Sequence, residues 1–137
     1  MPIQPYLCFE GRCEEAIEFY TQSLGAKVLT LLRFADSPDP FPRGTVPSGW
    51  EHKVLHASMR ISDATVMASD GCSPGQPVFE GFSLSLAVRD KDEAGRTFPA
   101  LAEGGQVKLP LAKTFWSPQF GMVTDRFGVS WMIHVDA

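Results

Sequence analysis

The sequence lacks the features that mark several broad classes of protein. It has no apolar run approaching the roughly 20 residues that a membrane-spanning helix needs. Its first residues, MPIQPYLCFEG, lack the basic and long apolar segments of a secretory signal peptide, so we expect no such leader. No run of Lys or Arg occurs and the formal net charge is −4, so nothing attracts phosphate backbones or anionic lipids. We therefore predict neither a nucleic-acid partner nor a membrane partner.

Cysteine is also scarce, and its three occurrences are Cys8, Cys13 and Cys72. The odd number and the lack of a C-x-x-C motif argue against a disulfide framework or a zinc ribbon, and they favour a reducing, cytoplasmic location. We expect Cys8 and Cys13 to be small buried side chains. Cys72 lies in a Gly/Pro-rich linker with no neighbouring positive group to activate its thiol.

What is present is an ordinary globular composition. Of the 137 residues, 44% are hydrophobic and 20% are charged, which suits one domain with one core. In the first half, the pattern predicts a strand at 3–9 that Pro5 weakens, and a helix that runs from Arg12 to a stop at Gly25. Three strands follow, and a Pro-rich loop at 35–50 interrupts them.

The second half repeats this order after a Gly/Pro linker at 70–77. A strand at 82–88 leads into a helix that opens with a D-x-x-E capping box at Asp90 and Glu93. Pro99 predicts a kink in this helix, because an internal proline removes a hydrogen bond. Three more strands complete the half. The repeat predicts an α+β protein built from two tandem βαβββ modules.

Four stretches resemble the PhnB-like branch of the glyoxalase/bleomycin-resistance (vicinal oxygen chelate) superfamily. They are PYLCFEGRCEEAIEFYTQSLGAKV, KVLHASMRISDATVMASD, FSLSLAVRD and TFWSPQFGMVTDRFGVSWMI, and they cover nearly the whole chain. The resemblance implies a single domain in which module 1 (1–72) and module 2 (78–137) form a curved mixed sheet around a cleft, with the helices on the outer face. It also implies a homodimer.

Some members of this family are labelled demethylubiquinone methyltransferases. The sequence has no glycine-rich loop that follows a strand and opens a helix, which is the feature that nucleotide-type cofactors need. We therefore expect no methyltransferase activity.

Enzymes of this superfamily hold a divalent metal in the cleft with His, Glu or Gln side chains. The resemblance places the four corresponding positions at Pro5, Ser83, Ala68 and Met132. None of these side chains is a competent donor, because proline and alanine offer no lone pair, a neutral hydroxyl is weak and a thioether is too soft. We therefore expect no metal and no other cofactor.

Two alternative metal arrangements remain to be weighed. Asp70 and His134 each lie two residues beyond a carried-over position, so strand alternation places them on the same faces and permits a displaced site. His52 and His56 form an H-x-x-x-H pattern, which on a helix suits zinc. Their surroundings favour a strand, where four residues span about 13 Å, too far to share one ion.

The candidate cleft is lined by a mixture of aromatic, apolar and polar side chains. Its members are predicted to be His56, Ser83, Trp116, Phe120 and Met132. Ser83 shares a polar strand face with Ser85, which either orients a ligand or is merely hydrated. The aromatic side chains suit either a small-molecule pocket or the ordinary core and dimer contacts.

Three functions follow from these residues. The first is a protein that binds a small organic molecule in a metal-free cleft. The second is a metal-dependent lyase, isomerase or dioxygenase that uses the displaced site. The third is a regulatory or interaction module with a vestigial cleft. The sequence favours them in that order and does not identify the ligand.

Overall fold

The computed structural model describes residues 2–39, 46–71 and 77–136 of the chain. It divides into a first unit, Met1–Pro77, and a second unit, Val78–Ala137. The middle of the predicted Pro-rich loop and the linker position Cys72 lie outside the described residues. Each unit has the order strand, helix and three strands, so the predicted α+β class and the tandem βαβββ modules are confirmed.

The first unit is a four-stranded mixed sheet with one helix. Its elements are β1 (Tyr6–Cys8), α1 (Cys13–Leu24), β2 (Lys27–Arg33), a short 3-10 helix (Phe34–Asp36), β3 (Val54–Ile61) and β4 (Ala64–Ser69). The strand order is β1-β4-β3-β2, with β1 parallel to β4 and the other pairs antiparallel. Strand β1 is short because Pro5 precedes it and cannot donate to a ladder.

Helix α1 forms where the sequence predicts it. The left-handed conformation of Gly25, with φ of 68°, ends the helix, and its N–H bonds back to the Thr21 carbonyl. The helix buries Ala16, Ile17 and Tyr20 at the predicted spacing. This apolar stripe covers one face of the first sheet.

The second unit repeats the arrangement of the first. Its elements are β5 (Leu84–Val88), α2 (Lys91–Ala102), β6 (Gln106–Ala112), β7 (Phe120–Thr124) and β8 (Ser130–Val135). The strand order is β5-β8-β7-β6, with β5 parallel to β8 and the other pairs antiparallel. The two sheets therefore have the same topology.

Helix α2 begins at a conventional N-cap. The Asp90 carboxylate accepts the Glu93 backbone N–H at 2.8 Å, while the Glu93 carboxylate pairs with the Arg89 guanidinium. The helix continues through Pro99 to Ala102, so the proline does not end it. Among the described residues, no helix is long and apolar enough to cross a membrane.

Helix α2 packs closely against one face of the second sheet. Gly121 of β7 permits this approach, since a Cβ there would lie 2.7 Å from the Phe98 ring of the helix. Val123, Trp131 and Ile133 share the covered face and are buried. The opposite face is not covered by α2, and we call it the open face of the second sheet.

Candidate functional site

The open face of the second sheet brings three of the predicted site residues into neighbouring positions. Ser85, Met132 and Met122 form one row across β5, β8 and β7, and His134 and Phe120 pair in the adjacent row. The side chains from β7 and β8 are half-buried, in contrast to the buried residues that alternate with them. The result is a surface that mixes thioether, aromatic, hydroxyl and imidazole groups.

The polar groups of this face form a short chain of contacts. The Ser85 hydroxyl lies 3.4 Å from His134 Nδ1, and His134 Nε2 lies 3.2 Å from a carboxylate oxygen of Asp136. Both ring nitrogens therefore have a partner, and the tautomer decides which of them donates. The contacts hold the imidazole in one orientation beside Met132, and a bound polar group can take the place of the exposed Asp136 carboxylate at Nε2.

Ser83 and Trp116 occupy the margins of the open face. Ser83 is half-buried and precedes β5, two residues before Ser85. The Trp116 ring, which is 53% exposed, lies with its centroid 5.4 Å from that of Phe120 in an edge-to-face contact. The open face thus ends in an aromatic cluster at the loop between β6 and β7.

That loop forms a depression of about 310 Å³, which we call the loop pocket. It is lined by Lys91, Lys113, Thr114, Phe115, Trp116, Ser117 and Pro118. The sequence did not predict this pocket. Lys91 begins α2, whereas the other lining residues follow β6, and no sequence pattern indicates that these two segments are in contact.

His56 belongs to the first unit and has different partners. It lies in β3, and its Nδ1 is 3.2 Å from the Tyr6 hydroxyl, with the two ring centroids 5.6 Å apart. His52 is exposed in the turn before β3, so the H-x-x-x-H pattern does not share a helical face. The equivalent of the open face in the first unit therefore carries a tyrosine–histidine pair.

The register of the first sheet corrects two of the positions carried over from the resemblance. Tyr6 pairs with Met67, whereas Ala68 is 1% exposed beneath α1 and Pro5 precedes the strand. Tyr6 and Met67, not Pro5 and Ala68, therefore lie on the uncovered face. The β3–β4 turn (62–63) is shorter than the β7–β8 turn (125–129), so equal spacing in the sequence does not give equal register in the two hairpins. A slip of one residue moves every side chain to the other face.

The same slip makes the prediction that Asp70 points to the uncovered face wrong. Asp70 is 1% exposed on the side of α1. Its Oδ1 accepts the backbone N–H groups of Gly11 at 2.7 Å and Cys13 at 2.9 Å, and its Oδ2 accepts that of Val54 at 2.9 Å. The carboxylate is thus fully engaged in joining the start of α1 to β3.

The residues at the superfamily's metal positions do not fit a hard divalent ion. In the first unit the corrected positions hold the Tyr6 hydroxyl and the Met67 thioether. In the second unit the predicted Ser83 precedes β5, and the hydroxyl that pairs with the Met132 thioether is that of Ser85. Such an ion prefers carboxylate, carbonyl or imidazole donors. Within the described ranges, no group of three or more His, Cys, Asp or Glu side chains is placed to hold a metal.

A larger depression, of about 640 Å³, lies at the start of α1 in the first unit. Of its acidic residues, Glu14 is paired with Arg33 at 2.6 Å, and that hydrogen bond, with the charge of Arg33, holds the pKa of Glu14 below its usual value. Lys53 donates to the Gly11 carbonyl at 2.8 Å. Glu14 and Lys53 are therefore engaged with Arg33 and with the backbone.

The cysteines differ from expectation in one respect. Cys13 is free and fully buried as predicted, and burial together with the nearby Asp70 raises the pKa of its thiol. Cys8 is disulfide-bonded, so the prediction that it is a free buried side chain is wrong. The cysteine count therefore no longer supports the cytoplasmic location, which stays a prediction.

Comparison with known proteins identifies relatives over the whole chain. The model of the family described as 3-demethylubiquinone-9 3-methyltransferase matches residues 1–134. Protein YjdN of Escherichia coli (strain K12) is 38% identical over 140 residues, covering 98% of this chain and 95% of that protein.

Solved structures give the same picture. Protein PA1353 from Pseudomonas aeruginosa is 44% identical with a TM-score of 0.84, covering 99% of this chain and 98% of that one. The putative 3-demethylubiquinone-9 3-methyltransferase, PhnB protein, from Bacillus cereus is 26% identical with a TM-score of 0.79, covering 98% and 99%. A glyoxylase/bleomycin resistance protein/dioxygenase domain from Frankia sp. EAN1pec, 14% identical over 100% and 93% of the chains with a TM-score of 0.66, shows the shared fold.

Proposed function

We propose that this chain, which belongs to the PhnB-like family of the glyoxalase/bleomycin-resistance superfamily, binds a small organic molecule on the open face of its second sheet without a divalent metal. The observation that carries the proposal is the cross-strand row of Ser85, Met132 and Met122 beside His134 and Phe120. Sites for small molecules are mostly apolar with a few placed polar groups. This face has that composition.

The apolar and polar groups divide the work of binding. The Met132 and Met122 thioethers are flexible and polarisable, so they adapt to the outline of an apolar or aromatic ligand. His134, held between Ser85 and Asp136, supplies a fixed hydrogen-bonding group. A ligand with an aromatic body and one hydroxyl or carbonyl group matches both features.

In the metal-dependent alternative, Asp70 and His134 would bind the metal, but Asp70 is not available. Asp70 already accepts three backbone N–H groups, and binding a metal would leave those buried donors without partners. His134 with Asp136 offers only two ligands from the second unit. We therefore do not assign metal-dependent lyase, isomerase or dioxygenase chemistry to this chain.

Methyl transfer is named in the description of the matching family, but we do not propose it here. The chain has no glycine-rich loop between a strand and a helix to contact the ribose or phosphate of a nucleotide-type cofactor. A family description is not a site, and activity follows from the site's residues.

The test measures the melting temperature with phenol, 2-naphthol and 4-phenylphenol in the presence of EDTA. A ligand that binds only the folded chain raises the melting temperature, and the shift grows with ligand concentration. We expect a rise with the larger phenols, and we expect His134→Ala and Met132→Ala to reduce it. His52→Ala is the matched control, since it removes an exposed histidine of the first unit.

Three results would contradict the proposal. They are no shift with any of the three phenols, a shift that appears only after a divalent metal is added, and an equal shift in His134→Ala, Met132→Ala and the unmodified chain. Circular dichroism of each variant checks that the substitution has not unfolded the sheet.

The homodimer is a separate proposal that also comes from the family. The edge strands β2 and β6 expose apolar side chains, among them Val28, Leu32 and Leu109, and exposed edge strands readily pair with another chain. Light scattering on the purified protein should give twice the chain mass of 15.0 kDa. A monomer at micromolar concentration would contradict it.

A further inference from the structure

The loop pocket in the second unit displays aromatic side chains on an ordered turn. Phe115 is 98% exposed and Trp116 is 53% exposed, with their ring centroids 4.8 Å apart. Exposed aromatic surface is unfavourable in water. A ligand that covers these two rings therefore gains binding energy from their burial.

The turn that carries these rings is fixed by its own hydrogen bonds. The Thr114 N–H donates to the Ser117 carbonyl at 2.9 Å, and the Ser117 N–H donates to the Thr114 hydroxyl at 3.0 Å. The buried Ser117 hydroxyl lies 2.6 Å from the carbonyl oxygens of both Gln119 and Val135. These contacts anchor the loop to the end of β8, so the aromatic wall is preorganised.

Two cations face the same pocket. Lys91 and Lys113 both line it and are exposed, and among the described residues neither forms an ion pair. The described lining contains no acidic side chain, although the chain as a whole carries a formal net charge of −4. The lining of this pocket therefore carries two lysines and no acidic side chain, with Asp90 and Asp92 next to Lys91 in the sequence.

From this combination we infer that the loop pocket is a second binding site, for a planar aromatic anion such as an aromatic carboxylate. The ring stacks on or packs edge-to-face against Trp116, an arrangement that aromatic pairs favour beyond the burial of their area. The carboxylate lies between the Lys91 and Lys113 ammonium groups. A volume of about 310 Å³ suits a ligand of one or two rings.

This inference does not depend on the proposed function. It uses the loop and the start of α2, whereas the proposed function uses Met132 and His134 on the open face. The two regions meet through the contact between Trp116 and Phe120. Either site can exist without the other, and different variants test them.

The experiment measures binding of 2-naphthoate by isothermal titration calorimetry at low ionic strength, with 2-naphthalenemethanol as the uncharged analogue. We expect 2-naphthoate to bind more tightly than the alcohol. Lys113→Ala and Lys91→Ala should each weaken it by about twofold to fivefold, which is the range for exposed charge pairs. Raising the salt concentration should weaken naphthoate binding and leave the alcohol unchanged.

Lys108→Ala is the matched control for net charge. It removes an exposed lysine of β6 that bonds to Gln106 outside the pocket, and it should leave naphthoate binding unchanged. Trp116→Ala should weaken the naphthoate and the alcohol alike, because it removes the aromatic wall. His134→Ala should leave the loss of naphthoate binding in Lys91→Ala and Lys113→Ala unchanged, which separates this site from the open face.

The inference is overturned if 2-naphthoate does not bind, if it binds no more tightly than 2-naphthalenemethanol, or if the Lys91→Ala/Lys113→Ala double variant binds it as the unmodified chain does. It is also overturned if Lys108→Ala weakens binding as much as Lys113→Ala, since the effect then reflects net charge. Both pocket lysines are exposed, so these variants are expected to fold.

Discussion

The substitution Asp70→Asn tests whether this buried carboxylate is a structural clamp. Oδ1 accepts the N–H groups of Gly11 and Cys13, and Oδ2 accepts that of Val54. The asparagine has nearly the same shape, so packing is preserved and only the acceptor chemistry changes. In one orientation its carbonyl keeps the two bonds at the start of α1, while its amide group faces the Val54 N–H, donor against donor.

The expected cost follows from these contacts. A hydrogen bond to a charged acceptor contributes about 1.5–3 kcal/mol, and a buried donor left without a partner costs about 1–3 kcal/mol. Because two of the three bonds persist to an uncharged acceptor, we expect Asp70→Asn to lower the free energy of unfolding by about 2–4 kcal/mol. For a chain of this size that corresponds to a melting temperature lower by roughly 8–16 °C.

The assay is urea unfolding followed by circular dichroism, in EDTA and again with added Mn²⁺ or Zn²⁺. A structural clamp predicts the same loss in both conditions, whereas a metal ligand predicts a loss that appears only with metal. Asp63→Asn, in the exposed β3–β4 turn, is the control and should change stability by less than about 0.5 kcal/mol. An Asp70→Asn variant as stable as the parent, or one destabilised only in metal, would refute the reasoning.

Four further substitutions test the packing and burial of single residues. Gly105→Ala should lower the free energy of unfolding, measured in urea, by about 2–3 kcal/mol, because the new Cβ would lie 2.2 Å from a backbone oxygen of β7. Gly95→Ala should raise the free energy of unfolding by about 0.5–1 kcal/mol, because its Cβ would enter open space beside α2. Trp131→Phe removes the indole N–H that donates to the buried Asp125 carboxylate at 2.9 Å and should cost about 1.5–3 kcal/mol by the same assay. The raised pKa of the Cys13 thiol means that the folded state binds the thiol proton more tightly than the unfolded state does. The free energy of unfolding is therefore at its full value below the unfolded pKa of about 8.5, and it falls as the pH rises above that value. Cys13→Ala should flatten this dependence on pH, and an equal slope in the variant would contradict the raised pKa.

The order of elements could be predicted because local signals agree with the tertiary packing. Helix α1 has an apolar stripe at helical spacing and a glycine that adopts φ of 68° at its end, so its bounds follow from the sequence. Helix α2 continues through Pro99 because packing against the sheet outweighs one missing hydrogen bond, and the kink at Pro99 stays a prediction.

The site was less predictable because it depends on register, which local patterns do not fix. The alternation in β8 correctly placed Met132 and His134 on one face. In the first unit a slip of one residue exchanged Met67 for Ala68 and misplaced Asp70. The loop pocket depends on a contact between distant segments, and no periodic pattern encodes such a contact.

The corrected register shows a chemical likeness between the two units that bears on the metal question. In each unit a hydroxyl on the first strand pairs directly with a methionine on the last, Tyr6 with Met67 and Ser85 with Met132. Both pairs are neutral, and neither a hydroxyl nor a thioether competes well with water for a hard divalent ion. A thioether beside a hydroxyl does suit an organic ligand, since one contributes dispersion contacts and the other a hydrogen bond. The same pairing occurs in both halves of the duplicated fold, and it supports the proposal that this chain binds an organic ligand through side-chain contacts and not through a metal.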